Sequence, residues 1–373
     1  MTLADDSAKA KETVMPSLWL VVGDKLGDNA QAEIIIEALG WPYVRKSLRF
    51  KDRYVLGKPS FRASLHHVDL ACSAALEPPW PALILTVGRR PVMAALWVRK
   101  QSQGRTRVAI IGRPRRSLHH YDLVIAPPQF RVPARANVLQ LDLPLMRIDE
   151  PVIAEAREQW RESLQPLPRP LTAVLVGGPT QPFRFDAEVA RDLVARTLRA
   201  TGKAGTLYFT TSRRTPEAVA TALATALPGN ARLYRWSPDR TDNPYLGLLA
   251  HADHFIVTGD SISMMTEVVR LGLPLAIYEL PVKLPLLGRI KATLAKRLLP
   301  LGSDGDRGIR PTLGAALFRL GVIGYARDLS AMHHVLFARG LAVRLGEPFP
   351  VPGGAPSDAS KEVAGRLAAL FEP

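Results

Sequence analysis

Residues 256–279 read IVTGDSISMMTEVVRLGLPLAIYE, and the fold expected for the rest of the chain follows from this stretch. An apolar run leads into a tight polar turn, a helical segment follows, and a second apolar run begins after a Gly and a Pro. The turn at 258–261 places backbone amides and hydroxyls at a helix N-terminus, which suits a phosphate or a similar anion. Glu267 lies about two helical turns beyond Asp260, where its carboxylate can accept hydrogen bonds from a ribose or sugar hydroxyl. The pattern predicts a nucleotide-sugar site in an α/β domain.

A simpler interpretation of this turn is helix capping, with Asp260 or Ser261 as the N-cap residue and Glu267 in the second turn. Capping combined with anion binding is favoured, because the turn follows a buried strand and ligands of α/β folds collect at the carboxyl ends of such strands. The donor-binding residues predicted in this motif are Thr258, Asp260, Ser261, Ser263 and Glu267.

A second candidate anion loop is the TTSRRT sequence of residues 210–215, which follows another apolar run. Its two arginines and four hydroxyls match a pyrophosphate, since arginine binds oxyanions through paired donors. Alternatively, Ser212 or Thr215 caps the next helix and the arginines are solvated. The Gly-Gly pair at 177–178 lacks the Gly-Lys-Ser/Thr ending of a Walker loop, and it could simply permit a tight turn. The donor-binding residues predicted here are Gly178, Ser212, Arg213 and Arg214.

In the N-terminal half, the loop GDKLGD at residues 23–28 stands between an apolar run and a helix. Its spacing does not fit the dinucleotide-binding pattern G-x-G-x-x-G. Asp28 either caps the helix or, facing a cleft, acts as a general base toward an acceptor hydroxyl. A second loop, GRR at 88–90, presents two cations to a phosphate-bearing acceptor or leaves them solvated. The predicted catalytic residues are Asp28 and Asp24, and the predicted acceptor-binding residues are Lys25, Gln31, Arg89 and Arg90.

Apolar runs of strand length alternate with helical spacing along both halves of the chain. This alternation argues for parallel sheets with helices on both faces. Besides those of the opening stretch, strands are expected at 18–22, 82–87, 107–111, 123–126, 138–141, 171–176, 205–210 and 231–235. A final helix is expected at about 357–371, and the sequence leaves open on which half of the chain it packs.

A stiff Pro-rich connector, QPLPRP at 165–170, separates two halves that repeat the same pattern. The expected fold class is therefore α/β, with two Rossmann-like domains facing across a cleft. The predicted regions are a disordered tail at 1–15, an acceptor domain at 16–165, a nucleotide-sugar domain at 166–350, and a C-terminal tail and helix at 351–373.

Composition narrows the partners that the chain can have. A net charge of +15 over 373 residues favours phosphates, carried by a nucleotide, a nucleic acid or an anionic lipid. No dense basic tail or nucleic-acid-binding motif is present, so no nucleic acid partner is expected. The single Cys72 excludes an intrachain disulfide and a Cys-based zinc site. His251 and His254 beside Asp253 are compatible with a metal, but capping or packing is favoured, and no metal is expected.

Localisation follows from the absence of targeting patterns. The first residues lack the basic start and apolar run of a signal peptide, and no window reaches the ~18 apolar residues of a membrane span. We expect a cytoplasmic protein, with peripheral contact at the inner face of the cytoplasmic membrane left open. Residues 283–299 combine helically spaced apolar side chains with several cations. They form either a basic amphipathic helix at an anionic membrane or an ordinary surface helix packed on the core.

Short pieces of sequence, taken in order, resemble the plant mitochondrial-fission "elongated mitochondria" family and its bacterial members, which are classed as glycosyltransferases. The pieces are GDNAQ at 27–31, GRR at 88–90, YDLVIAP at 121–127, LVGG at 175–178, SRRTP at 212–216, and VTGDSISM at 257–264 with Glu267. The resemblance covers roughly residues 18–280. It implies a glycosyltransferase B-type fold, a donor site in the C-terminal domain and an acceptor site in the N-terminal domain. Members often carry Gly-His or Gly-Asp in the first loop, and Gly-Asp stands here, which leaves the identity of the base open.

Three functional hypotheses follow. The first is a metal-independent glycosyltransferase that moves a sugar from a nucleotide-diphospho-sugar to a lipid or cell-envelope acceptor. Arginines and helix dipoles would stabilise the leaving diphosphate, so no cofactor besides the donor is expected. The second is a non-catalytic nucleotide-sugar-binding or membrane adaptor of the same fold, as the plant branch of the resembled family is discussed as an adaptor for fission machinery. A nucleotide-sugar epimerase of the same architecture is a third alternative. The oligomeric state is left open.

Overall fold

The computed structural model describes residues 15–55, 59–115, 117–202, 204–283, 328–351, 356 and 358–372. Their contacts divide the chain into two compact units. The first unit holds the described residues up to Ile111, together with Leu118–Val124 and those from Ser360 onward. The second unit holds the described residues of Gly112–Ser117 and Ile125–Ala359.

Six strands form the first sheet. They are β1 (Leu18–Val22), β2 (Tyr43–Ser47), β3 (Leu83–Val87), β4 (Arg107–Ile111), β5 (Leu123–Ala126) and β6 (Val138–Gln140). The helices that accompany the first four are α1 (Leu26–Leu39), α2 (Asp52–Val55) and α3 (Arg89–Gln101). The strand order is β2-β1-β3-β4-β5-β6, and β1 pairs in parallel with both β2 and β3. The loops that follow β1 and β3 therefore leave the same edge of the sheet.

The second sheet also has six strands. They are β7 (Leu171–Val176), β8 (Thr206–Thr211), β9 (Arg232–Tyr234), β10 (His254–Thr258), β11 (Leu275–Tyr278) and β12 (Val343–Arg344). The described helices around it are α4 (Glu150–Gln159), α5 (Arg161–Leu164), α6 (Ala187–Thr201), α7 (Glu217–Ala226), α8 (Tyr245–His251), α9 (Ile262–Arg270) and α10 (Leu329–Ala338). The order is β12-β11-β10-β7-β8-β9, with parallel neighbours throughout. Because β7 lies between β10 and β8, the loops after these three strands meet at one edge.

Two-sided burial explains the continuous apolar runs of the central strands. Every residue of β1 (LWLVV) and of β7 (LTAVLV) is buried. The helices pack their apolar side on the sheets, as α6 does when Val189 and Leu193 join Phe209 of β8 in one core. Asp186 is the N-cap residue of α6, and its carboxylate accepts a hydrogen bond from the Val189 amide at 3.1 Å.

The predicted α/β class, with the two parallel sheets expected of a glycosyltransferase B-type chain, is confirmed. Strands β1, β4, β5 and β7 have the predicted bounds. Strand β2 was not predicted, because most of its residues are exposed and its sequence YVRKS shows no apolar run. The facing arrangement of the two domains stays a prediction.

The C-terminal helix α11 (Ser360–Ala368) packs on α1 within the first unit, which settles a point that the sequence left open. Beyond its end, the ring of Phe371 lies 5.7 Å from that of Trp41 and 4.4 Å from the guanidinium of Arg107. The last strand of the first sheet and the first strand of the second flank the predicted connector at 165–170. The predicted domain limits themselves stay predictions.

Two predicted segments fall on residues outside the described part of the chain. The predicted disordered tail lies there except for residue 15, and the predicted amphipathic helix at 283–299 lies there except for residue 283. Among the helices that are described, none has the length and apolar character needed to cross a bilayer.

Candidate functional site

The loops after β7, β8 and β10 are joined by hydrogen bonds into one loop cluster of the second unit, here termed the donor cluster. The amide of Gly177 donates to Thr258 Oγ1 at 2.8 Å, and the amide of Gly178 donates to Asp260 Oδ2 at 2.9 Å. From the loop after β8, Thr215 Oγ1 donates to the Gly177 carbonyl at 2.5 Å. The predicted donor residues of three separate loops are therefore brought together.

Asp260 is the central member of the donor cluster, and its carboxylate points into the protein. It accepts hydrogen bonds from Thr258 Oγ1 at 2.8 Å and from the Gly178 amide, and Arg214 Nη2 lies 3.4 Å away. Burial raises the pKa of this carboxyl, and the hydrogen bonds oppose that effect. Asp260 therefore fixes the relative position of the loops, and these contacts occupy the carboxylate that the sequence placed at a ligand.

The paired glycines of the donor cluster are required by close approach. A Cβ on Gly177 would lie 2.4 Å from Asp260 Oδ2, and a Cβ on Gly178 would lie 2.2 Å from the backbone oxygen of Arg214. Neither position has room for a side chain. The sequence around Gly178 has no phosphate-loop pattern, so it gave no specific reason for a glycine at this position.

The arginines of the donor cluster face outward. Arg214 Nη1 donates to Thr180 Oγ1 at 2.7 Å, and the Arg214 side chain is 47% exposed. Arg213 is exposed beside it and forms no ion pair with any residue that the structure describes. The hydroxyl of Ser212 lies 3.1 Å from Thr215 Oγ1, within its own loop. The loop therefore presents two cations to solvent at the carboxyl edge of the sheet.

Of the three capping interpretations of the sequence, only the N-cap position of Ser261 is confirmed. Helix α9 has Ser261 at its N-cap without a side-chain hydrogen bond, and Asp260 bonds elsewhere. Helix α7 has Pro216 at its N-cap, again without a capping side chain, so Ser212 and Thr215 do not cap it. Helix α1 begins after Lys25, which places Asp28 inside its first turn. Among the described residues, no side chain thus caps the first-turn amides of α9, which lie beside the exposed Ser263.

The first unit has its own loop cluster, here termed the acceptor cluster, between the loops after β1 and β3. It encloses a cavity of about 60 Å³, and it is lined by Gly23, Asp24, Lys25, Asp28, Asn29, Val87, Gly88, Arg89, Arg90 and Pro91. The predicted residues Asp24, Asp28 and Lys25 are therefore brought together with both arginines. Gln31 is half-buried one helical turn further along α1 and is not among the lining residues.

Arg90 is held inside the acceptor cluster. Its Nη2 lies 2.9 and 3.1 Å from the carboxylate oxygens of Asp24, and its Nη1 donates to the Tyr54 carbonyl at 2.8 Å. The guanidinium also stacks 4.4 Å from the ring centroid of Phe50. The Arg90 side chain is 10% exposed, whereas that of Asp24 is 31% exposed. Arg90 thus has a structural role, and the carboxylate is the more accessible partner.

Asp28 lies against the start of α3. Its Oδ2 would be 3.4 Å from a Cβ built on Gly88, whose φ of +83° already favours glycine. Arg89, the next residue, donates from Nη2 to the Pro59 carbonyl at 2.7 Å and lies 5.6 Å from the ring centroid of Phe61. Burial lowers the pKa of Arg89. The cavity thus combines two carboxylates with a half-buried arginine.

Comparison with known proteins places the chain in a family. The profile of the family described as "Mitochondrial fission ELM1" matches residues 27–299, which is most of the chain. The chain belongs to the mitochondrial fission ELM1 family. The resemblance inferred from the sequence is therefore confirmed.

Two curated relatives illustrate the range of this ELM1 family. The mitochondrial fission protein ELM1 of Arabidopsis thaliana is 28% identical over 223 residues, which are 54% of this chain and 52% of the Arabidopsis protein. This chain thus spans about half the length of that relative. The uncharacterized protein RP120 of Rickettsia prowazekii (strain Madrid E) is 23% identical over 302 residues, which are 71% of this chain and 84% of RP120.

Among solved structures, the UDP-GlcNAc 2-epimerase from Methanocaldococcus jannaschii is similar to this ELM1-family chain with a TM-score of 0.47 and 13% identity. The similarity covers 95% of this chain and 99% of the epimerase. Other solved structures with comparable similarity include glycosyltransferases.

The ELM1-family chain also has residues in the donor cluster that sequence reasoning missed. His333, from α10, donates from Nε2 to the Gly259 carbonyl at 2.7 Å, since a carbonyl can only accept. A Cβ on Gly259 would lie 2.6 Å from the His333 ring, so the imidazole packs directly behind the turn that begins α9. Burial lowers the pKa of His333, which favours the neutral ring. No local pattern could connect these residues, because they are far apart in the sequence.

Tyr245 is the second missed residue, and it partners Glu267. Its hydroxyl donates to Glu267 Oε2, between the first residue of α8 and the middle of α9. Burial raises the pKa of both side chains, that of Tyr245 well above 10. Glu267 is thus half-buried and held by a phenol. Its predicted contact with a ribose stays a prediction.

Proposed function

We propose that the protein is a metal-independent glycosyltransferase, with the nucleotide-diphospho-sugar on the donor cluster and the acceptor on the acceptor cluster. The observation that carries this proposal is that the two clusters bury charges of opposite sign. In the pair Arg214–Asp260 the carboxylate is fully buried and the arginine is 47% exposed, whereas in the pair Arg90–Asp24 the arginine is the buried partner. The donor cluster thus offers cations to an anion, and the acceptor cluster offers carboxylates to a hydroxyl.

The donor half of the proposal uses the groups that a diphosphate requires. Arg213 and Arg214 would bind its oxygens through paired N–H donors, and the uncapped amides at the start of α9 would bind them at the positive end of a helix dipole. Ser263 lies exposed at the same helix end. These groups would neutralise the charge that grows on the leaving diphosphate, so the proposal includes no metal ion.

The acceptor half of the proposal assigns Asp28 as the general base. Its carboxylate would remove the proton from an acceptor hydroxyl as the oxygen bonds the anomeric carbon and the bond from sugar to diphosphate breaks. Asp24 is the second candidate base, and its carboxylate is paired with Arg90. Lys25 and Arg89 would hold an anionic acceptor, with Gln31 further along α1.

The acceptor class and the location are part of the same proposal. The net charge of +15 favours an acceptor that carries phosphate or lies in an anionic surface. We therefore propose a lipid or cell-envelope acceptor, reached from the cytoplasm at the inner face of the membrane. Flotation with liposomes that contain or lack anionic lipid tests this location, and a protein that never floats would contradict it.

One experiment tests the transferase. UDP-, GDP-, ADP- and CMP-sugars are screened by thermal shift, and each stabilising donor is then assayed for hydrolysis and transfer. We expect one donor class to raise Tm, and we expect turnover to be lost in Asp28→Ala and in Arg213→Ala. The Arg213→Ala variant should also lose donor affinity, whereas Asp28→Ala should retain it. Absence of stabilisation by every nucleotide-sugar would overturn the donor assignment and the transferase together.

A second candidate function is a nucleotide-sugar-binding adaptor without catalysis. It is favoured by the relative from Arabidopsis thaliana, whose name is that of a mitochondrial fission protein. Stabilisation by a nucleotide-sugar without turnover, unchanged in Asp28→Ala, would support the adaptor over the transferase.

A further inference from the structure

Four cationic or titratable side chains share one surface of the first unit and are termed the His66 cluster. The members are Lys51, Arg53, Arg62 and His66. Arg62 Nε donates to His66 Nδ1 at 3.2 Å, and the ring of Tyr54 meets that of His66 edge-on at 5.6 Å. Arg53 lies 4.8 Å from the same Tyr54 ring, so one tyrosine contacts both the imidazole and the second guanidinium group.

The His66 cluster gathers three cations around one imidazole. Within the part of the chain that the structure describes, Lys51, Arg53 and Arg62 form no ion pair with an acidic side chain. Burial and then the charges of the three cations lower the pKa of His66. Like charges held together in this way repel one another, and a bound anion relieves that repulsion, so the arrangement favours an anionic ligand.

The hydrogen bonds of His66 define what its ring can donate. Both Arg62 Nε and the Ser64 hydroxyl, 2.6 Å away, direct hydrogen atoms at Nδ1. The neutral ring therefore carries its proton on Nε2, where it is a donor. Two guanidinium groups, one ammonium and one imidazole N–H are donors that suit the oxygens of a phosphate.

Both arginines of the acceptor cluster donate to backbone carbonyls of the segment that carries the His66 cluster. Arg90 donates to the carbonyl of Tyr54, and Arg89 donates to the carbonyl of Pro59. In addition, the buried His67, whose ring centroid lies 5.2 Å from that of His66, hydrogen-bonds the Arg90 carbonyl at 2.9 Å. The cationic surface and the carboxylate cavity are thus neighbouring parts of one structure within the first unit.

We infer, resting on the proposed function, that the His66 cluster is a phosphate site and that the acceptor is a phosphate ester. The phosphate group lies on the cluster while the hydroxyl that receives the sugar lies in the cavity beside Asp28. The chemistry is shared by a phospholipid headgroup and by a soluble phosphate ester. The acceptor class thus follows from donors that are placed next to the cavity rather than from the overall charge of the chain.

The test is an NMR titration of the full-length protein labelled with ¹⁵N in its histidine rings, with the His66 signal assigned by its loss in His66→Gln. Glycerol 3-phosphate and inorganic phosphate are the soluble probes. Vesicles of phosphatidylcholine with or without phosphatidic acid are the lipid probes, followed by co-sedimentation. We expect phosphate to shift the His66 signal and to raise the pKa of His66, because the anion stabilises the imidazolium.

A matched pair of variants separates a site from general surface charge. The double variant Arg53→Gln, Arg62→Gln should lose affinity for the probe that binds by about tenfold or more. Arg49→Gln removes a cation from an exposed position of the same unit and should leave that affinity unchanged. Binding only to phosphatidic acid vesicles identifies a lipid phosphate, and binding of glycerol 3-phosphate identifies a soluble ester. An equal loss in Arg49→Gln, or an unchanged His66 signal with every probe, overturns the inference.

Thermal-shift measurements of the same protein with nucleotide-sugars distinguish a failure of the phosphate site from a failure of the transferase. If phosphate moves His66 but no nucleotide-sugar stabilises the protein, the phosphate site stands and the transferase fails. If a nucleotide-sugar stabilises the protein and supports turnover while phosphate leaves the His66 signal unchanged, the transferase stands and this inference fails.

Discussion

The donor cluster and the acceptor cluster have the same local design, in which a parallel strand ends in a polar loop that begins a helix, but they bury opposite charges. In the donor cluster Asp260 is inside, satisfied by an amide and a hydroxyl, while Arg214 is outside. In the acceptor cluster Arg90 is inside, satisfied by a carbonyl and a carboxylate, while Asp24 is more exposed. A buried charge requires partners of the complementary kind, so the partners that each cluster supplies determine which sign is buried. The opposite sign is then presented to a ligand.

The same substitution in both clusters should give the largest difference. Arg90→Met removes hydrogen bonds to Tyr54 and Asp24 and a ring contact, so we expect a loss of about 3 kcal/mol in the free energy of unfolding. Arg214→Met removes a half-exposed side chain that bonds Thr180 at 2.7 Å and lies 3.4 Å from Asp260, so its loss should be smaller, about 1 kcal/mol. Hydrogen exchange of β3 and β7 amides measures the two units separately. Equal losses would show that burial does not distinguish the pairs.

Acid should destabilise the acceptor cluster through His67. Burial lowers the pKa of His67 from 6.5 to about 4, so between these values the unfolded chain binds more protons than the folded chain. The stability contributed by the neutral ring is full above pH 6.5 and is lost as pH falls toward 4, by at most about 3 kcal/mol. His67→Gln keeps a donor for the Arg90 carbonyl and removes the titration. Exchange rates of β3 amides should therefore depend less on pH in this variant, and an unchanged profile would rule out His67 as the cause.

Of the two carboxylates, as of the two arginines, the buried one should contribute more to stability. Asp260→Asn leaves one of two buried donors, the Gly178 amide or the Thr258 hydroxyl, facing an NH₂ group, so we expect a loss of about 2 kcal/mol. Asp24→Asn changes a partly exposed carboxylate and should cost about 1 kcal/mol. Thermal denaturation of each variant at neutral pH provides the measurement. A greater loss in Asp24→Asn would contradict the assignment of Asp260 as the buried anchor.

The glycines provide the smallest and most local test. Gly178→Ala forces a methyl group toward the Arg214 carbonyl, so the loop after β8 must shift, at a cost of about 1 to 2 kcal/mol. Gly27→Ala places its methyl group in open space within α1 and should stabilise the protein by up to about 1 kcal/mol. Urea denaturation compares the two, and a neutral Gly178→Ala would mean that the loops are not packed as described.

The contrast between buried and exposed positions also separates what could be predicted from the sequence from what could not. Strands with two buried faces, such as β1 and β7, were recognised with the right bounds, because an uninterrupted apolar run has few other uses. The edge strand β2 was missed because pairing, and not burial, makes it a strand. Ser261 occupies the N-cap position of α9 without a capping hydrogen bond, and Asp28 lies inside the first turn of α1, because the local pattern permits a cap but does not require the side chain to bond there.

Apolar periodicity and the order of polar loops were sufficient for the α/β class, for the two sheets, and for the loops that meet at the carboxyl edge of each, since parallel connectivity brings strand ends together in any such sheet. Only the tertiary structure decided which way each charged side chain turns. Asp260 and Arg90 turned inward, and His333 and Tyr245 came to support the donor cluster from distant helices. Those choices depend on hydrogen-bond partners that the folded backbone supplies, and residues far apart in the sequence carry no local signal of them.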